Sequence, residues 1–228
     1  MIRAVIFDMY ETLITHYHGN GPLYFSLQMA EEAGVSLERF QAIWRGKEKE
    51  RTIGNISLEE TLEFILKENQ VYSEDKVKQM AKKRTETAGV CFENLHPEIV
   101  PMLEALHGKG IRIGLISNCF SEEAKVIRQS RLAPYFDALC LSYELGVRKP
   151  EAEIYDACVS KLGVNPKECL YVGDGGSNEL EAARNFGMTA VQATWYLSSR
   201  KDWTERRKDD FYQVKRPLDI VQILLQDK

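Results

Sequence analysis

Acidic, hydroxyl, amide and amine side chains stand at four separated places in this chain, each close to a short apolar run. Asp8, Tyr10 and Thr12 follow "AVIF", and Ser117 and Asn118 follow "IGLI". Lys149 precedes Pro150 in "GVRKPEAEIY", and Asp174, Asn178 and Glu179 lie in "GDGGSNE" after "CLYV". Brought together, such groups could do two kinds of work. A carboxylate can attack an electrophilic centre and carry the transferred group, splitting one hard step into two easier ones. Hydroxyls, an amide and an amine can hold and neutralise the charge that such a step develops. Singly, each has an ordinary reading: a strand-end aspartate caps a turn, Ser-Asn is a turn pair, Lys-Pro opens a helix, and Gly-Asp-Gly-Gly is a flexible loop. Their joint occurrence, in order and at strand ends, argues for one site.

The elements that must position them follow from two alternating textures. In residues 1–15 and again from about 95 onward, β-branched apolar runs ("IRAVIF", "IRIGLIS", "ALCLS", "CLYVG", "TAVQA" and "FYQV") alternate with amphipathic stretches. That pattern predicts βαβ units, a mostly parallel doubly wound sheet and an α/β core over 1–15 and 92–228. In such a sheet, ligands bind beyond the carboxyl ends of the strands, where all four groups of residues fall. Residues 16–91 show no strand pattern. Leu37, Phe40, Ile43 and Trp44, then Leu62, Phe64, Ile65 and Leu66, recur at helical spacing, and "SLEE" at Ser57–Glu60 has the form of a capping box. A helical insertion directly after the Asp8 loop would sit above the strand ends as a cap.

Composition narrows the partners. With 30 basic and 34 acidic residues the formal charge is -4, so no global basic field draws the chain onto nucleic acid. The cation-rich "RKDWTERRKDD" (Arg200–Asp210) is interleaved with acids and reads as a solvated face. Five cysteines without a C-x-x-C pair suggest reduced thiols rather than a disulfide framework or zinc site. No apolar run is long enough for a membrane span, and the N-terminus lacks a signal-peptide pattern. The expectation is a cytoplasmic protein acting on a small molecule as a monomer or homodimer, without nucleic-acid or membrane partners. His16 and His18 read as part of a polar loop rather than a metal site.

The set D-x-x-x-T (Asp8, Thr12), S-N (Ser117, Asn118), K-P (Lys149, Pro150) and G-D-x-x-x-N-E (Gly173–Glu179) resembles the four motifs of the haloacid dehalogenase-like (HAD) hydrolase superfamily. The resemblance spans the whole chain, helical cap included. It implies that Asp8 is the nucleophile. It also implies that Asp8, the Tyr10 carbonyl and Asp174 hold Mg²⁺, a hard cation that prefers oxygen ligands, while Glu179 holds a metal-bound water or orients the site. Lys149, Thr12, Ser117 and the Asn118 amide would surround the phosphoryl oxygens.

Two residues pull the resemblance in different directions. The family's phosphatases usually carry a second aspartate two positions after the nucleophile, where this chain has Tyr10, a phenol and a poor general base near neutral pH. Tyrosine there is typical of the 2-haloacid dehalogenases, which attack carbon and need no leaving-group proton. Their pattern also has a cap arginine in a Trp-Arg pair, matched by Trp44 and Arg45, so Arg45 is a candidate for binding halide or a substrate carboxylate. Those enzymes, however, resemble Ser-Ser-Asn where this chain has Gly173-Asp174-Gly175, and they work without metal. A retained Asp174 with Glu179 favours a Mg²⁺-dependent phosphatase, with a dehalogenase or a weakly catalytic binding protein as alternatives. Glu11, where dehalogenases have glycine, is read as a loop-bridging residue.

Overall fold

The computed structural model describes residues 1–15, 24–197 and 206–226. Its six strands are β1 (Ala4–Phe7), β2 (Arg112–Ser117), β3 (Ala138–Leu141), β4 (Cys169–Gly173), β5 (Thr189–Ala193) and β6 (Tyr212–Val214). They form one parallel sheet in the order β3-β2-β1-β4-β5-β6. All six apolar runs read from the sequence are therefore strands, the weakest of them, "FYQV", as the short edge strand β6.

Parallel strands buried on both faces need side chains apolar throughout, and β1 is buried at all four positions. Ala4 and Ile6 turn to one face, joining Tyr171, Cys158 and Leu180, while Val5 and Phe7 join Leu115, Val172 and Leu103 on the other. On the first face lie the helices Ala152–Leu162 and Glu179–Asn185; on the second lies α6 (Ile99–Gly108) with the final helix, Asp219–Gln226.

The chain steps from β1 outward through β2 to β3, then returns to the other side of β1 with β4. The direction of winding thus reverses between β1 and β4, the point at which a doubly wound sheet leaves a crevice. Asp8 follows β1, Ser117 ends β2 and Asp174 follows β4, all around that crevice.

Between β1 and α6 lie α1 (Ser26–Ala33), α2 (Leu37–Gly46), α3 (Glu48–Thr52), α4 (Leu58–Glu68) and α5 (Glu74–Val90). They gather around their own apolar cluster, which includes Met29, Phe40, Leu62, Ile65 and Met80. The box at Ser57 is present: its hydroxyl accepts the Glu60 N–H at 3.1 Å, and Glu60 accepts the Ser57 N–H at 2.7 Å. Phe64, read as part of the apolar stripe, is instead exposed on α4, with Lys47 Nζ 5.2 Å above its ring.

The inserted helices meet the sheet-bearing part chiefly through α5 against α7 (Ser121–Gln129), the helix after β2. His16 and His18, and residues 200–205 of the cation-rich stretch, lie outside the described residues.

Candidate active site

The first loop is a tight turn built on Asp8. Leu13 and Ile14 both donate their N–H to the Met9 carbonyl, and Glu11, at a left-handed φ of 60°, donates to the Ile14 carbonyl. The turn faces Thr12 back onto the nucleophile candidate, its hydroxyl donating to Asp8 Oδ2 at 3.2 Å. Glu11 accepts the Thr15 hydroxyl at 2.9 Å, bridging the loop as its sequence position suggested. From the far side, Trp195 Nε1 donates to the Thr12 carbonyl at 2.8 Å, fixing the turn against the loop after β5.

Lys149 crosses to this turn from more than a hundred residues away. Its Nζ lies 2.5 Å from both Asp8 Oδ1 and Glu179 Oε2, with the Tyr171 hydroxyl at 3.5 Å. Burial would lower the ammonium pKa, but the carboxylates of Asp8 and Glu179 outweigh it and hold the group well above its usual value. It stays charged.

Asn118 prepares that approach. Its Oδ1 accepts the Lys149 N–H at 2.8 Å and its Nδ2 donates to the Lys149 carbonyl at 3.0 Å. The side-chain amide thus positions Lys149, while Asn118 also lines the cavity beside it. Ser117 behaves differently: it is fully buried, and its hydroxyl has no hydrogen-bond partner among the described residues. A buried, unpaired donor costs roughly 1–3 kcal/mol, so this hydroxyl is suited to meet an anionic oxygen.

Asp8, Asp174 and Glu179 are all buried, with candidate ligand atoms within 4.8 Å of one another. Burial, then the charge of Asp8, pushes Glu179 up to about 8 and Asp174 up to about 6. Three carboxylates this close outnumber the two cations that reach them among the described residues, Lys149 and Arg206, so the donor set fits a hard, oxygen-loving cation. Glu179 is the most occupied of the three, accepting from Lys149, the Tyr171 hydroxyl at 2.8 Å and the Gly175 N–H at 3.2 Å. Gly173 is required beneath it, because a Cβ there would stand 2.1 Å from Glu179 Oε1.

Beside Lys149 opens a cavity of about 310 Å³, lined from the core by Asn118, Phe120, Lys149 and Ser177 and from α3 by Glu48 and Thr52. Among the predicted residues Lys149 and Asn118 line it, and two of the others are turned to different surroundings. Arg45 is exposed on α2, because one helical step of about 100° separates it from the inward-turned Trp44. Arg51 takes the inward position instead. Its guanidinium centre lies 3.5 Å from the Trp44 ring centroid and 3.9 Å from that of Phe120, and Nη2 pairs with Glu122 at 3.3 Å.

Tyr10 is the second. Its phenol is held well above its ordinary pKa, first by burial and then by the Glu123 carboxylate, with Cys119, Cys91 and Arg84 as further electrostatic neighbours. Those neighbours lie at α5, at α7 and in the loop after β2, and the ring packs against the apolar core cluster.

Glu123 itself gives a pH signature. Burial, then the charge of Glu122, pushes it up to about 7 against Arg84, from an ordinary 4.5. Between those values the folded chain holds a proton that the unfolded chain has released. Its contribution to stability therefore falls as pH rises from about 4.5 to 7, by up to about 1.4 kcal/mol per unit. Glu123→Gln is expected to lose that slope, so denaturant unfolding should find the variant gaining on the native protein across this window. Parallel curves would contradict the assignment.

Three contributors escaped the sequence reading. Tyr171 was hidden in the apolar pattern of β4, and Arg51 among the charges of "RGKEKERT". Arg206, from the stretch read as a solvated face, pairs through Nη1 with Asp174 Oδ2 at 3.2 Å.

The chain is similar to known proteins. A model of the haloacid dehalogenase-like hydrolases matches residues 2–187. The chain is 27% identical to glyceraldehyde 3-phosphate phosphatase of Methanopyrus kandleri over 249 aligned positions covering all of both chains. It is also 27% identical to (S)-2-haloacid dehalogenase 4A of Burkholderia cepacia over 204 positions, 84% of this chain and 82% of that one. The crystal structure of a HAD phosphatase from Thermococcus onnurineus aligns with a TM-score of 0.68 over 98% of each chain at 20% identity, a likeness of fold. With the fold, the four motifs and a family match over most of its length in agreement, this chain belongs to the haloacid dehalogenase-like hydrolases.

Proposed function

We propose that the protein is a Mg²⁺-dependent phosphatase that hydrolyses the monoester of a small phosphorylated metabolite through an aspartyl-phosphate on Asp8. The observation that carries this reading is the buried carboxylate trio of Asp8, Asp174 and Glu179 within 4.8 Å. A nucleophile working on carbon without metal gains nothing from two further acids beside it, which would repel an anionic substrate. The relative named as a glyceraldehyde 3-phosphate phosphatase supports the same choice. The dehalogenase alternative drew on Tyr10 and Arg45, but Arg45 is exposed on α2 and the Tyr10 ring packs against the apolar core cluster.

In this reading Asp8, Asp174 and the main-chain carbonyl of Tyr10 hold the cation, and Glu179 keeps Lys149 in place. Bound Mg²⁺ would neutralise the phosphoryl oxygens and the two aspartates together. Asp8 attacks phosphorus from a carboxylate already oriented by Lys149 and by Thr12, 3.2 Å from its Oδ2. Lys149 and the Ser117 hydroxyl take up charge on the transferring group, as preorganised donors in a water-poor site do. The inserted helices act as a cap, shielding the intermediate from indiscriminate attack. The five cysteines, all free and buried, support a cytoplasmic setting. Among the described residues no helix is long and apolar enough to cross a membrane. The partner proposed is the small-molecule substrate, handled by a monomer or homodimer.

An aryl phosphate assay with Mg²⁺ and with EDTA tests the reading. Turnover that is lost in EDTA and restored by added Mg²⁺ is expected. Halide release from a 2-chloro acid that EDTA leaves untouched, with no metal-dependent turnover across a panel of phosphates, would sink it.

A further inference from the structure

We propose that Glu48, carried by the inserted helix α3, is the general acid and base of the reaction, filling the role that the position of Tyr10 leaves vacant. The proposal rests on the phosphatase reading. An alkyl phosphate ester releases an alkoxide, which needs a proton as it departs, and the water that later frees the aspartate must lose one. Neither task falls to Tyr10, whose ring packs against the apolar core cluster with its hydroxyl buried there.

The cavity beside Lys149 offers few substitutes. Among its described lining residues, Thr52, Asn118, Ser177 and Asn178 carry hydroxyls and amides that do not exchange protons near neutrality, and Arg148 is permanently charged. Lys149 Nζ is already engaged by the carboxylates of Asp8 and Glu179. Glu48 is the one carboxyl group in that lining. It reaches the cavity together with Thr52, four residues on and hence on the same helical face. The Thr52 hydroxyl donates to the Glu48 carbonyl at 2.8 Å, tying the two ends of this short helix.

A cap-borne acid is useful only if its helix is fixed relative to the nucleophile, and α3 is fixed at two points. Arg51, 1% exposed, is clasped between Trp44 and Phe120 and paired with Glu122 of α7. Just beyond α3, Gly54 has a φ of 76° and lies so close to the core that a Cβ would stand 2.1 Å from the Tyr143 carbonyl oxygen. Phe120 follows Asn118 by two residues, so the anchor and the Lys149 support share one loop.

The steps balance as follows. An Asp8 oxygen bonds to phosphorus while the bond from phosphorus to the ester oxygen breaks; its electron pair leaves on that oxygen, which takes the Glu48 proton and departs as the alcohol. Glu48, now a carboxylate, accepts a proton from water. The water oxygen bonds to phosphorus as the bond to Asp8 breaks, releasing inorganic phosphate and restoring both side chains.

Leaving groups separate this role from a structural one. With Glu48→Gln, kcat/KM for glycerol 2-phosphate is expected to fall about 10²–10⁴-fold, whereas kcat/KM for 4-nitrophenyl phosphate, whose phenolate leaves without a proton, stays close to that of the native protein. Acid quenching should also trap phosphorylated Asp8 in the variant, because the second step has lost its base. Equal losses on the two esters, or no loss on either, would overturn the proposal while leaving the phosphatase reading intact. Native protein that turns over neither ester with Mg²⁺ would remove both.

Discussion

Asp8→Asn is expected to abolish turnover, lowering kcat by roughly 10⁴–10⁶-fold, the scale on which removing a covalent nucleophile acts. The amide keeps the shape of the side chain and can still accept the Thr12 hydroxyl, now 3.2 Å from Asp8 Oδ2, so the loss reports chemistry rather than folding. The electrostatic consequence can be read separately. Asp8 is the second cause, after burial, of the raised pKa of both Asp174 and Glu179. Without its charge both should ionise more readily, and Lys149 loses one of its two carboxylate contacts. Carboxyl titrations followed by NMR in the cation-free protein should therefore move down in the variant while circular dichroism is unchanged. Retention of full activity by Asp8→Asn would show that the nucleophile lies elsewhere.

Why could Asp8 be found from sequence, and Arg51 not? Strands buried on both faces need uninterrupted apolar runs, so β1, β2 and β4 were visible, and the residue after each run necessarily arrives at the same edge of a parallel sheet. Asp8, Ser117 and Asp174 inherit their positions from that rule. Lys149 does not follow a strand directly, but its Pro150 neighbour and its place in the order of motifs singled it out. The inserted helices obey a weaker constraint. Helical periodicity says which face of α2 is apolar, but not which long polar side chain beyond it bends back over a ring. Arg45 stood beside Trp44 in sequence; Arg51, near the end of α3, reaches that ring in space. The pairing of Arg206 with Asp174, 32 positions apart, and the turn of Tyr10 toward Glu123 are set by packing between elements. No local pattern of residue types records them.

That same packing predicts the largest effect on stability. Glu122→Gln should destabilise the fold by about 3–5 kcal/mol, because removing one member of a buried ion pair strands the other. Glu122 Oε1 lies 3.3 Å from Arg51 Nη2 and 3.4 Å from Arg84 Nε, and all three side chains are at most 8% exposed. Arg51 depends on Glu122 most. Its Nε and Nη1 have no hydrogen-bond partner among the described residues, and its remaining surroundings are aromatic faces. Burial already draws its pKa down to about 10 against the charges of Glu122 and Glu123. Glutamine preserves the volume of Glu122, so the loss isolates charge from packing.

Adding Arg51→Met should recover much of the deficit, since a flexible thioether can occupy the space between Trp44 and Phe120 without a charge to compensate. Urea unfolding of the native protein, both single variants and the double variant closes the cycle. Additive losses would mean that the pair contributes no coupling. Recovery of stability by the double variant need not restore function, however, because the guanidinium is also what clamps α3 above Lys149. A double variant that folds as firmly as the native protein, yet loses kcat/KM on glycerol 2-phosphate far more than on 4-nitrophenyl phosphate, would tie the clamp to the placement of Glu48.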